Sequence, residues 1–427
     1  MNRPQDLKTS GLGWLRSSRR IGLILLALGL AAYFLLPAWA APPASNYEAL
    51  RLYTEALFEV SQKFVYPKNE EDMIYGSLRG MMNSLDPDSS FLTAKEYKNY
   101  LQGEQRAPAE AGLDLVVKDG LLTAVSVIDG GPAAQAGMKP DDHIIKIDGQ
   151  MVRNLTTQEA ARRFQGAPGT KFKLQVIRNG EVKPLDFIIT LGPLGENTVT
   201  TRYLDNDVAY VRIRYFNNET PGGLATVLNN IKQHQPAVKG IILDLRNNAR
   251  GSMEEAVRSA SLFLGNQQIM IAKGRAPQTE QSYSGKDRDL VFKTLPPLVV
   301  LVDQGTARAA EIVAAALRDQ ARATLLGAKT LGLCGLTKAF PLEDGSALVM
   351  TVAQCYSPKG GKIPGKGLEP EVTGQKPVAD KTPEKAPAPE KAAAAAVSPE
   401  QDPWVRQAKD LLISGKPKPV TTKEPAA

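Results

Sequence analysis

The feature that most narrows the fold of this chain is the order of its apolar runs between residues 200 and 320. Residues 208–213, 240–245 and 298–302 are short apolar stretches of strand length, and each precedes a segment of helical spacing (221–233, 253–264 and 307–319). In the last of these, Ala309, Ile312, Val313 and Ala316 recur on one side. Strand–helix–strand alternation of this kind predicts a layered α/β domain.

The flanking regions have a different grammar. Residues 47–65 and 70–84 read as helices, with Leu50, Tyr53, Leu57, Val60 and Phe64 at helical intervals. Residues 112–192 hold short β-type runs (113–118, 122–128, 143–147, 172–178, 185–190) separated by glycine turns. One helix, near 157–165, interrupts them, with Thr156 as its expected N-cap. Residues 373–401 contain five prolines, five consecutive alanines and no aromatic residue, the composition of a disordered Pro/Ala/Lys/Glu tether. A short helix is expected at 402–414, with Trp404, Ala408 and Leu411 or Leu412 on one side.

Composition excludes several classes. Hydrophobic residues make up 43% of the 427 and charged residues 23%, as in ordinary globular proteins. Two cysteines cannot form a disulfide scaffold, and two distant histidines, His143 and His234, argue against a histidine-built metal site. No metal and no cofactor is expected. The net charge is +7, but residues 1–40 alone carry five basic residues against one acidic, so the remainder lacks the charge footprint of a nucleic-acid binder. Arg16, Arg19 and Arg20 precede an apolar run at 21–36, followed by Ala38-Trp39-Ala40. That is the build of a cleaved secretory signal or a retained inner-membrane anchor. Either places the rest of the chain in the periplasm or on the extracytoplasmic face of the inner membrane.

Four segments together carry a family resemblance. Gly76-Ser77-Leu78-Arg79-Gly80-Met81 leads into Leu85-Asp86-Pro87-Asp88-Ser89-Ser90-Phe91-Leu92. Gly131-Pro132-Ala133-Ala134-Gln135-Ala136-Gly137 ends in Ile147-Asp148-Gly149 and looks like the centre of a PDZ domain. Asp244-Leu245-Arg246-Asn247-Asn248 follows, then Tyr356-Ser357-Pro358 and Gly365-Lys366-Gly367-Leu368-Glu369-Pro370. In this order the chain resembles the carboxy-terminal processing peptidases, the tail-specific serine proteases. The resemblance implies an α/β + β architecture. It consists of a helical N-terminal region (45–105), an inserted PDZ domain (110–192), a crotonase-like α/β core (200–372), a linker (373–401) and a C-terminal helix (402–414). The N-terminal part and the terminal helix are expected to share a dimerisation region, and the tether to let that helix dock elsewhere.

PDZ domains add a peptide as an extra strand and hold its terminal carboxylate on loop amides. The matching positions here are Gly112, Leu113 and Leu115, with Ala161 or Phe164 on the helix opposite. Gly112 is expected to let a ligand approach the backbone closely.

The chemistry departs from the family. Its members use a serine–lysine dyad, the serine in S-A-S-A-S-E and the lysine in G-K-G-x-V-Q. The corresponding stretches are Thr306-Ala307-Arg308-Ala309-Ala310-Glu311 and Gly332-Leu333-Cys334-Gly335-Leu336-Thr337. Arg308 therefore stands at the serine position, Leu333 at the lysine and Thr337 at the glutamine, while Arg250 replaces an oxyanion-loop glycine. Glu311 is the expected partner of Arg308. Asp88, where relatives often carry histidine, reads as a solvated turn residue. Thr306 and Cys334 are the substitute nucleophiles to consider. Cys334 has a structural reading as well: a two-residue Asp344–Gly345 hairpin turn would oppose it to Cys355, within disulfide reach.

The expected function is an exported, proteolytically inactive homologue that binds polypeptide C-termini, scaffolds, or regulates an active protease or another envelope protein, as a homo-oligomer or alone. The rivals are an active processing protease with an unrecognised catalytic pair, and a structural envelope protein with a closed groove.

Overall fold

The computed structural model describes residues 44–101, 108–118, 120–152, 155, 157–195, 197–205, 207–234, 237–292, 294, 296–375 and 398–415. The signal or anchor expected at 1–40, the Thr156 cap and most of the tether lie outside them. Among the described residues no helix is long and apolar enough to cross a membrane. The chain divides into two units, one ending at Ile74 and one running from Tyr75. Helix Ala44–Lys63 of the first unit leaves Leu50, Leu52 and Phe58 exposed.

In the second unit, six strands build the central sheet in the order Val199–Leu204, Val208–Ile213, Gly240–Asp244, Leu298–Val302, Thr324–Gly327, Val372–Thr373. The first pair is antiparallel and every later pair parallel. Side chains alternate between the faces. Val211, Ile213, Leu243 and Val300 pack on one face against helices Thr220–Gln233, Met253–Leu264 and Ala309–Asp319. Tyr210, Ile242, Val299 and Leu301 pack on the other, where Val405, Ala408 and Leu412 of helix Pro403–Ser414 cover them. Burial on both sides is why these strands read as unbroken apolar runs.

The terminal helix thus docks on its own core sheet, because the sheet's second face has no other cover among the described residues. Asp402 starts this helix by accepting from the Trp404 and Val405 amides, and its other oxygen pairs with Arg246 at 2.8 Å. The tether is also shorter than its composition implies. Val372–Thr373 completes the sheet, and the Gln375 carbonyl accepts from Trp404 Nε1.

A second sheet of five strands centres on Ala347–Tyr356. It is joined by Ser90–Leu92, so the N-terminal region expected to be helical contributes a strand as well. The hairpin partner is Gly335–Pro341. Its loop has three residues, not two: Leu342 pairs with Ser346, and Gly345 turns at φ 82°. This offsets the register by one, and a bulge between Leu336 and Thr337 restores it. Cys334 and Cys355 consequently do face each other, joined by a disulfide with Cα atoms 5.6 Å apart.

Strands Leu113–Lys118, Leu121–Val127, His143–Ile147, Lys171–Ile177 and Leu185–Thr190 form the sheet of the inserted domain, with Leu113–Lys118 at one edge beside helix Thr157–Arg163. Its core includes Leu115, Leu122, Ile144, Phe164 and Leu174. Gly112 has a positive φ of 74°, and a Cβ there would lie 2.9 Å from Leu194 Cδ2. Backbone conformation and packing, not ligand approach alone, demand glycine at this position.

Candidate functional site

The site lies where the central sheet's loops meet the inserted domain. After strand Leu298–Val302 the chain turns on Asp303, whose Oδ1 accepts from Asn247 N and Gly305 N. Thr306 is wholly buried, and its hydroxyl donates to the Leu245 carbonyl at 2.9 Å. The helix expected from 307 starts only at Ala309, because Arg308 adopts φ 51°, ψ −117°. A non-glycine residue in such a conformation is strained, and the surroundings hold it there. Its amide donates to Leu333 O at 2.9 Å.

The Arg308 guanidinium does not pair with Glu311. One nitrogen donates to Ala249 O at 2.8 Å and another to Asp88 Oδ1 at 2.6 Å. Asp88 is accordingly no solvated turn residue; its side chain is only 15% exposed. Asp86 holds that turn by accepting from the Asp88 and Ser89 amides. Glu311 is fully buried and instead accepts from Thr330 Oγ1, Gly332 N and Leu333 N, tying down the loop that carries Leu333. Burial pushes its carboxyl up to about 7, against these hydrogen bonds. Leu333 itself packs with Leu331 against Val116, Val125, Ala249 and Ala307, an apolar contact between the inserted domain and the core.

Arg250 spans the same boundary. Its Nε donates to Asp114 Oδ1 at 2.8 Å and its Nη1 to Glu110 Oε2 at 2.9 Å. Burial opposes its charge, but these carboxylates outweigh that and hold it above the ordinary arginine range. Beside it, Asn247 exchanges side-chain hydrogen bonds with the backbone of Val127, fastening the inserted domain to the loop.

Arg308 separates two cavities. The larger, about 830 Å³, is lined by all five residues expected to bind a peptide (Gly112, Leu113, Leu115, Ala161 and Phe164) together with Arg250 and Arg308. The smaller, about 450 Å³, is lined by Asp88, Arg308, Ile312, Thr337 and the disulfide of Cys334 and Cys355. Arg308 lines both cavities, Arg250 the larger and Thr337 the smaller, while Leu333 lines neither and packs against Ala249 and Ala307. Leu113, Leu115 and Phe164 do double duty, since they also belong to the inserted domain's core. At the groove's edge Val117 N already donates to Thr157 Oγ1 at 3.2 Å. Among the described residues, no group of three or more His, Cys, Asp or Glu side chains could hold a metal ion.

Sequence reasoning missed Asp88, Glu110 and Asp114 as partners. The available signal was that Asp88 and Arg308 depart from the family pattern together, with opposite charges.

The fold is that of the PDZ-bearing C-terminal processing proteases. The solved photosystem II D1 C-terminal processing protease superposes with a TM-score of 0.63 at 24% identity, over 76% of this chain and 92% of that one. The sequence model of Peptidase family S41 matches residues 207–373 and that of the PDZ domain residues 123–178. The carboxy-terminal-processing protease of Bartonella bacilliformis is 31% identical over 339 residues, covering 79% of this chain and 77% of that protein. Carboxy-terminal processing protease CtpA of Bacillus subtilis is 33% identical over 323 residues, covering 75% and 68%. The chain belongs to this family of carboxy-terminal processing proteases.

Proposed function

We propose that this chain is an exported, proteolytically silent member of its family that works by holding polypeptide C-termini. The observation that carries the reading is Arg308, at the family's nucleophile position, bound to Asp88 and to Ala249 O. Serine-type acyl transfer needs a nucleophile and a base to take its proton. A guanidinium stays protonated near neutral pH, and leucine has no proton to exchange. The nearest substitutes are engaged: the Thr306 hydroxyl donates to backbone, and Cys334 is in a disulfide. Binding and an oxyanion site alone leave about 10³–10⁴ over water, and here that loop carries Arg250.

The relatives are named for processing protein C-termini, and the larger cavity joins the PDZ groove to the family's catalytic position. Polypeptide ends, envelope proteins or an active protease are the partners this reading implies. The leader-like residues 1–40 and the disulfide both suit an oxidising, extracytoplasmic compartment. The bond from Val117 N to Thr157 Oγ1 favours a second reading, a structural protein with a shut groove.

The test incubates the purified chain with unfolded polypeptides of varied C-termini. A variant combining Arg308→Ser, Leu333→Lys, Arg250→Gly and Asp88→His runs beside it. The expected result is cleavage by the variant alone. Cleavage by the natural chain that survives Thr306→Ala and Cys334→Ala, and is absent from a mock purification, overturns the silent reading.

A further inference from the structure

The larger cavity holds a charge pattern that its apolar PDZ residues do not explain. Four carboxylates line it (Glu110, Asp114, Glu219 and Glu255) against the two guanidiniums of Arg250 and Arg308. Arg308 is further neutralised by Asp88, which stands outside this lining. The cavity is therefore acidic, although Arg250 lines it.

Asp114 is the member left incomplete. It lies two residues past Gly112 on the edge strand, and its side chain is 10% exposed. Oδ1 accepts from Arg250 Nε, whereas Oδ2 is buried and has no hydrogen-bond partner among the described residues. A buried carboxylate oxygen without a donor has lost its hydration with nothing in return. Two of the other acids are better served. Glu110 receives Arg250 Nη1, and Glu255 closes the capping box of helix Met253–Leu264 with Ser252.

Resting on the reading of this cavity as a holder of polypeptide ends, we propose that it selects ends carrying a lysine or arginine close to the C-terminus, whose side chain docks on Asp114. The geometry supplies both halves of such a ligand. Leu113, Leu115 and Phe164 accommodate apolar atoms, the aliphatic stem of a long basic side chain included. Asp114 Oδ2 and the surplus of carboxylates receive the cationic head in a charge-assisted hydrogen bond. Arg250 then has a second role: by pairing with Asp114 Oδ1 and Glu110 it offsets part of the empty cavity's negative charge.

The test measures binding of fluorescent peptides with free C-termini to the full-length chain by polarisation. A set with lysine or glutamate in turn at each of the last four positions is compared. At one position at least, lysine is expected to bind about tenfold tighter than glutamate, a difference of about 1.4 kcal/mol. That preference falls below about threefold in Asp114→Asn, and high salt erodes it. Glu181→Gln, which neutralises an exposed acid of the inserted domain outside the cavity lining, retains it. Two results overturn the proposal: glutamate peptides binding as well as or better than lysine peptides, or a lysine preference untouched in folded Asp114→Asn. Failure of every peptide to bind the natural chain sinks the end-binding function itself, and this proposal with it.

Discussion

Two arginine–carboxylate clusters stand on the central sheet's loops, and they are built to different standards. In the first, Asp244 is 1% exposed and lies between Arg212 and Arg246; Tyr210 donates to it at 2.7 Å, Arg212 reaches Asp129 and Arg246 reaches Asp402. No oxygen of Asp244 lacks a partner, and burial is outweighed by the two arginines, which hold its carboxyl far below the usual range. This cluster ties three parts of the chain together: the PDZ domain through Asp129, the core, and the terminal helix through Asp402. The second cluster comprises Arg308 with Asp88 and Arg250 with Glu110 and Asp114. Its arginines are 25% exposed, it borders two cavities, and it leaves Asp114 Oδ2 unsatisfied. A closed network secures a fold, whereas an open one of the same residue types has room for a ligand.

Breaking the closed cluster gives the largest expected effect. Asp244→Asn leaves two buried guanidiniums under-compensated and costs about 3–5 kcal/mol in chemical denaturation at neutral pH. Because its folded pKa is depressed, this contribution is complete above the unfolded value near 3.8 and fades as pH falls through the folded value. The cost of the substitution therefore shrinks in strong acid. A loss below 1 kcal/mol at pH 7 would remove the contrast drawn here.

The next effect concerns Glu311, whose pKa is raised by burial rather than lowered. Its contribution is full below about 4.5, the ordinary value, and is lost as pH rises toward about 7. That amounts to roughly 3 kcal/mol across the window. In Glu311→Gln this part of the slope of stability against pH should vanish. An unchanged slope between wild type and variant would show that Glu311 titrates as an exposed acid.

The smallest effect sharpens the comparison within the open cluster. Arg308→Ala and Asp88→Ala together should cost less than the sum of the single changes, with a coupling of about 1–2 kcal/mol. Arg308→Gly should cost less than Arg308→Ala, because glycine relieves the φ of 51°. Denaturation midpoints of the four variants decide both points; zero coupling would make the Arg308–Asp88 contact incidental.

The contrast also explains what the sequence disclosed. Periodicity is local, so helix Met253–Leu264 and strand Leu298–Val302 were legible to the residue. Helix Ala309–Asp319 was placed two residues early, since nothing in its composition announces the left-handed turn at Arg308. Partners across space were not legible: Asp88 and Arg308 are 220 residues apart, Asp114 and Arg250 136. The hairpin shows a subtler limit. Cys334 was set opposite Cys355 by way of a two-residue turn that does not exist, and a bulge cancelled the error. The positions at the family's site could be located by aligning motifs, but which charge answers each arginine required the fold.

The docking of the last helix also sets a schedule for the chain. Residues 204–326 supply the strands whose one face carries Leu204, Tyr210, Ile242, Val299, Leu301 and Leu326, yet Val405, Ala408 and Leu412 come about eighty residues later. While the protein is being made, that apolar face stays bare until the final turns of the sequence have emerged, so the core cannot close in the order in which it is synthesised. A ribosome stalled within the proline- and alanine-rich stretch would hold an almost finished sheet with its cover still missing.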